Sequence, residues 1–339
     1  MRFPKSLPVA ALFLLGLFAP LSGMAQSAPT KIDANNAGGV QPYNTYGGTH
    51  ENINLATGDL NLQIPLVSLP GRDGFDLNLS LVYDSKIWNL HGVRPMHSIN
   101  AVYWWDDITN PSGEITSANL DLAWRYNIPT LYSTLVTTGS GASTTYCYGN
   151  FVVVTADGGK HPFSSPAVPT LNGVRAGCYI IVNGVMVPQP QMDLLVGGAV
   201  DSTYLVLDTT ISSDVVVHIK DGTTIHFPSY NSFATIPSRI QDTNGNQISY
   251  QFSGSVLTIT DTLGRVVTST TNSASSRTIS YKDSTGTQRS IALTLSQVNI
   301  APTFTNPPGA GVPASSNQYM LQTITTPNNL TYSFAKLVE

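Results

Sequence analysis

Short runs of alternating apolar and polar residues, cut at intervals by Asp-x-x-Gly, restrict this chain to β-hairpins over much of its length. In IQDTNGNQISYQFSGSVLTITDTLGRVV (240–267), Asp242-Thr243-Asn244-Gly245 returns 19 residues later as Asp261-Thr262-Leu263-Gly264, and Asp283-Ser284-Thr285-Gly286 follows after another 22. Behind Gly245, Ile248, Tyr250 and Phe252 share one face at period two. Ser253-Gly254-Ser255 then turns the chain, Leu257 and Ile259 return it, and Arg265-Val266-Val267 opens the next strand. Aspartate suits the first position of a type I turn, where its carboxylate accepts backbone N–H groups. Glycine three residues on takes the left-handed conformation that closes a three-residue hairpin loop. The three aspartates therefore read as turn formers, and each period as a strand pair plus two turns. Units of that length stack, each burying its apolar face against the next.

The same grammar runs upstream. Asp157-Gly158 and Asp221-Gly222 each stand between strand-like runs, with Phe163 and Phe227 at equal distances behind them. Leu60–Ile64 and Asp76–Leu81 alternate strictly, separated by the turn cluster Leu69-Pro70-Gly71-Arg72-Asp73-Gly74. Further strand patterns cover Phe151–Thr155, Tyr179–Val182, Tyr204–Leu207 and Val215–Ile219. No window carries a convincing amphipathic helix, and β-branched and turn-prone residues replace the straight-chain helix formers. The expected fold is all-β, built of antiparallel sheets and hairpins. A β-rich domain over 46–235 would precede stacked hairpin repeats over 236–339.

Charged residues make up 11% of the 339 and hydrophobic ones 41%, which excludes a solvated disordered tail. A formal charge of −4 argues against a phosphate-backbone partner. The first 25 residues have the order of a secretory signal: Arg2 and Lys5, the apolar run VAALFLLGLF, then Ser22-Gly23-Met24-Ala25. Cleavage is expected after Ala25, which would take the charge to −6 by removing Arg2 and Lys5 and no acid. Residues 26–45 read as a flexible lead-in. No later apolar run is long enough for a spanning helix, so the mature chain is expected to be secreted or held in the cell envelope. In an oxidising compartment Cys147 and Cys178, 31 residues apart, are candidates for a disulfide. Two buried thiols are the alternative.

Sites of chemistry are scarce. Asp242, Asn244 and Asn246 alternate like early EF-hand ligands, but Gly245 stands fourth and Ser253 twelfth, where that loop needs Gly sixth and Glu twelfth. The histidines 50, 91, 97, 161, 218 and 226 form no metal-ligand motif, and no G-x-S-x-G, P-loop or G-x-G-x-x-G occurs. No catalytic, cofactor-binding or metal residues are assigned. Tyr103-Trp104-Trp105 is a speculative glycan platform, whose alternative role is core packing. The neighbouring Asp106 and Asp107 point to opposite faces of a strand and make a poor hydrolytic pair. The sequons Asn78-Leu79-Ser80 and Asn329-Leu330-Thr331 both fall in strand-like runs, which argues against glycan attachment.

The phrases I-x-D-x-N-G-N-x-I-x-Y (Ile240–Tyr250) and T-D-x-L-G-R (Thr260–Arg265) resemble the YD-repeat units of bacterial RHS proteins. ENINLATGDLNLQIPLVSLPGRDGFDLNLSLVYDSKIW (51–88) resembles their entry region, and Leu122-Ala123-Trp124-Arg125 with Ile128-Pro129 is similar to a tryptophan-containing segment there. The resemblance covers about half of the mature chain and implies long β-sheets that spiral into a shell or extended surface structure. Its self-cleavage motif Asp-Pro-x-Gly-Leu is absent, and NPPGAGVP (306–313) is no match. The chain is therefore expected to be an N-terminal fragment or a short relative without a toxin domain. It would serve as a non-enzymatic exported scaffold or adhesive surface, with surface glycans or other envelope proteins as partners. A secreted glycan-binding β-module and a carbohydrate-active enzyme on a β-scaffold are the alternatives.

Overall fold

The computed structural model describes residues 45–47, 51–54, 60–85, 88–93, 102–107, 124–139, 144–164, 174–201, 203–230, 234–300 and 316–334. The chain divides into residues 1–31 and 32–339, and every described residue lies in the second unit. The expected signal segment and most of the lead-in lie outside the described residues.

The protein is all-β, and among the described residues the strands pair antiparallel. A first sheet has the order β1 (Thr45–Gly47), β2 (Glu51–Asn54), β3 (Leu60–Leu69), β4 (Leu77–Asp84) and β7 (Trp124–Tyr126), while β5 (Trp88–Val93) and β6 (Val102–Asp107) pair only with each other among the described residues. The next group comprises β8 (Thr130–Thr138), β9 (Thr145–Val154), β10 (Lys160–Ser164), β11 (Ala176–Val182) and β12 (Val185–Pro188). Then come β13 (Val196–Ala199), β14 (Val206–Asp208), β15 (Val215–His218), β16 (Thr224–Phe227), β17 (Ala234–Thr235) and β18 (Arg239–Gln241). The last are β19 (Gln247–Ser253), β20 (Val256–Thr260), β21 (Val266–Ser273), β22 (Ser276–Lys282), β23 (Gln288–Ile300), β24 (Ser316–Thr325) and β25 (Thr331–Ser333).

Strand β9 forks: it pairs with β8 on one side, and on the other with β10 near its end and β11 near its start. Through β10 the ladder continues to β13, β14, β15, β16 and β18. From β18 onward neighbours in sequence are neighbours in the sheet up to β25, as local hairpins require. Among the described residues, strand registers join β12 only to β11 and β25 only to β24.

Alternation sets the two hydrophobic cores. In the first, Leu77, Leu79, Leu81, Trp124 and Tyr126 of the first sheet meet Leu257, Ile259, Val267, Ile279, Leu293 and Ile324 of the late hairpins. In the second, Phe151 and Val153 of β9 pack with Leu207, Val217, Ile225 and Phe227. The first core takes residues from 67–128 and from 248–324, so segments on both sides of residue 235 share one interior. The physical reason is that one hairpin ladder leaves an apolar face open and needs a second layer to bury it.

Arg265 fastens the two layers. Its side chain, held on Asp261, donates through Nη2 to Pro70 O at 2.5 Å, across 195 residues of sequence. Pro70 opens a tight loop in which the Gly71 N–H donates to Asp76 Oδ1 at 2.7 Å. A Cβ on Gly71 would lie 1.8 Å from the Phe75 carbonyl oxygen, an impossible approach to backbone. Gly71→Ala is therefore expected to spring this loop, costing about 1–3 kcal/mol. The check is a urea midpoint lowered without a change in slope.

Candidate functional site

Asp242, Asp261 and Asp283 are bound into their own turns. In each Asp-x-x-Gly the glycine N–H returns to the aspartate carbonyl: Gly245 to Asp242 at 3.2 Å, Gly264 to Asp261 at 3.0 Å and Gly286 to Asp283 at 2.9 Å. The aspartate N–H meets the carbonyl of the residue four positions on, and the glycines hold φ of 81°, 77° and 79°. This is a type I turn closed by a left-handed glycine. One carboxylate oxygen accepts the amides two and four residues ahead: Asn244 and Asn246 for Asp242, Leu263 and Arg265 for Asp261, Thr285 and Thr287 for Asp283. The other oxygen takes Asn246 Nδ2, Arg265 Nε or Arg289 Nε. With both oxygens engaged, these carboxylates have no geometry for acid–base work on a substrate.

Asp157-Gly158 and Asp221-Gly222 form the same loop with a shifted frame. The first position is Thr155 or Ile219, and aspartate stands third, one before the left-handed glycine. Its carboxylate therefore caps only the amide two residues ahead, Gly159 or Thr223. A further copy, Thr326-Pro327-Asn328-Asn329, places Asn329 at φ 61° in the glycine's role. Sequence reasoning took Asn329 for a strand residue. Pro327 just inside the turn and asparagine's tolerance of the left-handed region were the signals that could have found it.

The strongest polar cluster was not foreseen. His161 Nδ1 lies 2.5 Å from Asp201 Oδ2, and its Nε2 lies 3.0 Å from Thr155 Oγ1. The imidazole and the carboxylate are only 14% and 19% exposed. Serial hydroxyl–imidazole–carboxylate contacts have the outline of a nucleophilic triad. Thr155 Oγ1, however, also donates to Asp157 Oδ1 at 2.6 Å. A hydroxyl has one proton. Given to Asp157, it leaves Thr155 an acceptor for His161, the reverse of nucleophile activation. The cluster instead ties the turn at 155–159 to the loop after β13, and Gly159 leaves the room: a Cβ there would lie 2.8 Å from His161 Nε2.

A second array has another wiring. His226 Nδ1 is 2.9 Å from Asp214 Oδ1 and 2.8 Å from Arg239 Nη2, while Nε2 meets Thr224 Oγ1 at 3.1 Å. Arg239 also reaches Asp214 Oδ2 at 3.3 Å. Threonine and histidine here lie two apart on one face of β16, so the array braces neighbouring strands.

The two cysteines are joined, Cys147 Sγ to Cys178 Sγ at 2.08 Å, across β9 and β11. On the opposite face of those strands Tyr146 and Tyr179 stack with centroids 5.3 Å apart. Tyr148 lies 5.7 Å from Tyr230, which in turn meets Phe151 edge-on at 6.3 Å. Burial, with Asp193 and Tyr148 nearby, raises the Tyr230 hydroxyl above its ordinary pKa. Tyr103, Trp104 and Trp105 lie on β6, opposite Gly92, His91 and Leu90 of β5. The orientation of their side chains lies outside the described residues. Among the described residues no group of three His, Cys, Asp or Glu side chains could hold a metal ion, and no helix is long and apolar enough to cross a membrane.

Several carboxylates are shifted downward. At Asp283 hydrogen bonds from Thr285 and Arg289 outweigh burial. Burial pulls Asp201 and Asp242 upward, but hydrogen bonds from His161 and Thr203 in the first, and from Asn246, Asn244 and Gly245 in the second, prevail. A depressed native pKa means the folded chain binds fewer protons than the unfolded chain. Its contribution is thus complete above about pH 4, the unfolded carboxylate value, and is lost as the pH falls through the folded value. Asp283→Asn is expected to flatten the fall in stability below about pH 4, read from urea midpoints across an acid series. An unchanged slope would contradict the assignment. No family model matches the chain, and no curated protein matches it.

Proposed function

We propose that this chain is an exported, non-catalytic β-scaffold of the RHS/YD type, serving in the cell envelope or an extracellular surface layer. The observation that carries the reading is the shared backbone hydrogen-bond pattern of the turns at Asp242, Asp261 and Asp283, each of which joins two neighbouring strands of one ladder. The polar clusters add support, because their hydroxyls and carboxylates are consumed by contacts within the protein. Two measurements test it on the full chain expressed with a C-terminal tag. Fractionation with protease shaving of intact cells is expected to recover the chain outside the cytoplasm, and a panel of glycans is expected to stay intact. Retention in the cytoplasm, or turnover abolished by substituting one Asp or Glu, overturns the proposal.

A glycan-binding module is the second reading, favoured by the half-buried stack of Tyr146 on Tyr179. Flat aromatic faces beside polar groups suit the C–H faces of sugars. Binding on a glycan array lost with Tyr179→Ala, or with Trp104→Ala or Trp105→Ala on β6, would establish this reading. A blank array removes it.

A further inference from the structure

We infer that β12 is a self-docking edge, through which two copies of this chain pair strand to strand about a two-fold axis. The hairpin of β11 and β12 ends in the turn Asn183-Gly184, and from Ile181 to Pro188 every residue is exposed. Val185 and Met186 are 63% and 65% exposed, and Ile181, Val182 and Val187 between 37% and 45%. The stretch IVNGVMVP contains no charge. Natural edge strands are normally guarded by brevity, proline, a lysine, an inward charge or a bulge; this one is four residues long and ends in proline, but carries no charge and no bulge in its ladder with β11. Pro188 limits it only at its far end.

The register decides which groups are free. Val182 pairs with Val185 and Ile180 with Val187, and beyond them the Gln189 N–H donates to Cys178 O at 2.7 Å. Bonded pairs alternate along an antiparallel ladder, so the N–H and C=O of Val185 and Val187 face β11, and those of Met186 face away from it. Two antiparallel copies of β12 can therefore centre on Met186, each donating its N–H to the other's carbonyl. That pairing is isologous, places uncharged apolar residues against themselves and closes at two copies. The exposed side chains offer a few hundred Å², about half of the ~800 Å² per partner of a standard interface. The dimer is accordingly weak and concentration-dependent. Strand β25, which also has one partner among the described residues, presents Thr331-Tyr332-Ser333 and lacks this apolar self-match.

Sedimentation velocity of the full chain across a concentration series tests this. A reversible monomer–dimer equilibrium is expected. Met186→Pro removes the central N–H without touching a bond to β11 and should weaken the dimer by about tenfold or more. Met186→Lys should do the same by adding an edge charge. Ser333→Pro, on β25, should leave the dimer intact, and far-UV circular dichroism should be unchanged in all three. A monomer at every concentration, association that survives Met186→Pro, or loss with Ser333→Pro overturns the inference. So does slow hydrogen exchange at the Met186 amide in dilute monomer, which would mean that this chain covers its own edge.

Discussion

Replacing Asp261 with alanine is expected to destabilise the chain by about 3 kcal/mol, more than either companion aspartate. The Asp261 side chain is fully buried, whereas the Arg265 it holds is 37% exposed. Its Oδ1 accepts the Leu263 and Arg265 amides at 3.0 and 2.8 Å, and its Oδ2 accepts Arg265 Nε at 2.7 Å. Truncation would take the acceptor from two half-buried turn amides and release the guanidinium from Pro70 O on the facing sheet. Arg265→Lys separates these contributions: it keeps the charge and the turn but loses the planar two-nitrogen grip, and should recover only part of the stability. Urea denaturation of wild type, Asp261→Ala, Asp261→Asn and Arg265→Lys is the measurement. If Asp261→Ala falls within about 0.5 kcal/mol of wild type, as an ordinary surface change would, the clamp is refuted.

Removing the disulfide is the second large expected effect. The bridge closes a loop of 31 residues, worth roughly 3–4 kcal/mol by the chain-entropy relation. Cys147→Ser with Cys178→Ser would also place two hydroxyls where each cysteine residue is now 2% exposed, a further cost for polar groups without partners. The paired serine variant and the reduced wild type should both melt earlier. The reduced wild type should lose less, since thiols tolerate burial better than hydroxyls do. The tyrosine stack reports on the same region: with the β9–β11 crossing loosened, near-ultraviolet dichroism from Tyr146 and Tyr179 should fade before the far-ultraviolet β signal. Simultaneous loss of both signals would show that the bridge stabilises the whole fold rather than this crossing.

Alternation and turn chemistry were legible in the residues themselves. Ile248, Leu257 and Ile259 announced which face of their strands is buried, because side chains in a strand alternate between two faces. Asp242, Asp261 and Asp283 announced their turns, because a short carboxylate and a glycine without Cβ act within five residues of chain. The frame of the turn was less legible at Asp157 and Asp221, where the first position belongs to Thr155 and Ile219 and the dipeptide Asp-Gly gives no hint of it. The half-buried polar clusters left no pattern to read. His161 meets Asp201 across 40 residues, and nothing local to either fixes the contact.

By itself the sequence determined the strands, the reversals between them and the cysteine pair open to bridging, all set by backbone sterics and short-range hydrogen bonds. Tertiary structure alone decided that residues from 67–128 pack against the late hairpins, that Arg265 reaches Pro70, and that β12 keeps one neighbour among the described residues. Those outcomes depend on which apolar faces meet when the sheets pack. Burial rewards area without regard to distance along the chain, so it leaves no periodic signature in the order of residues.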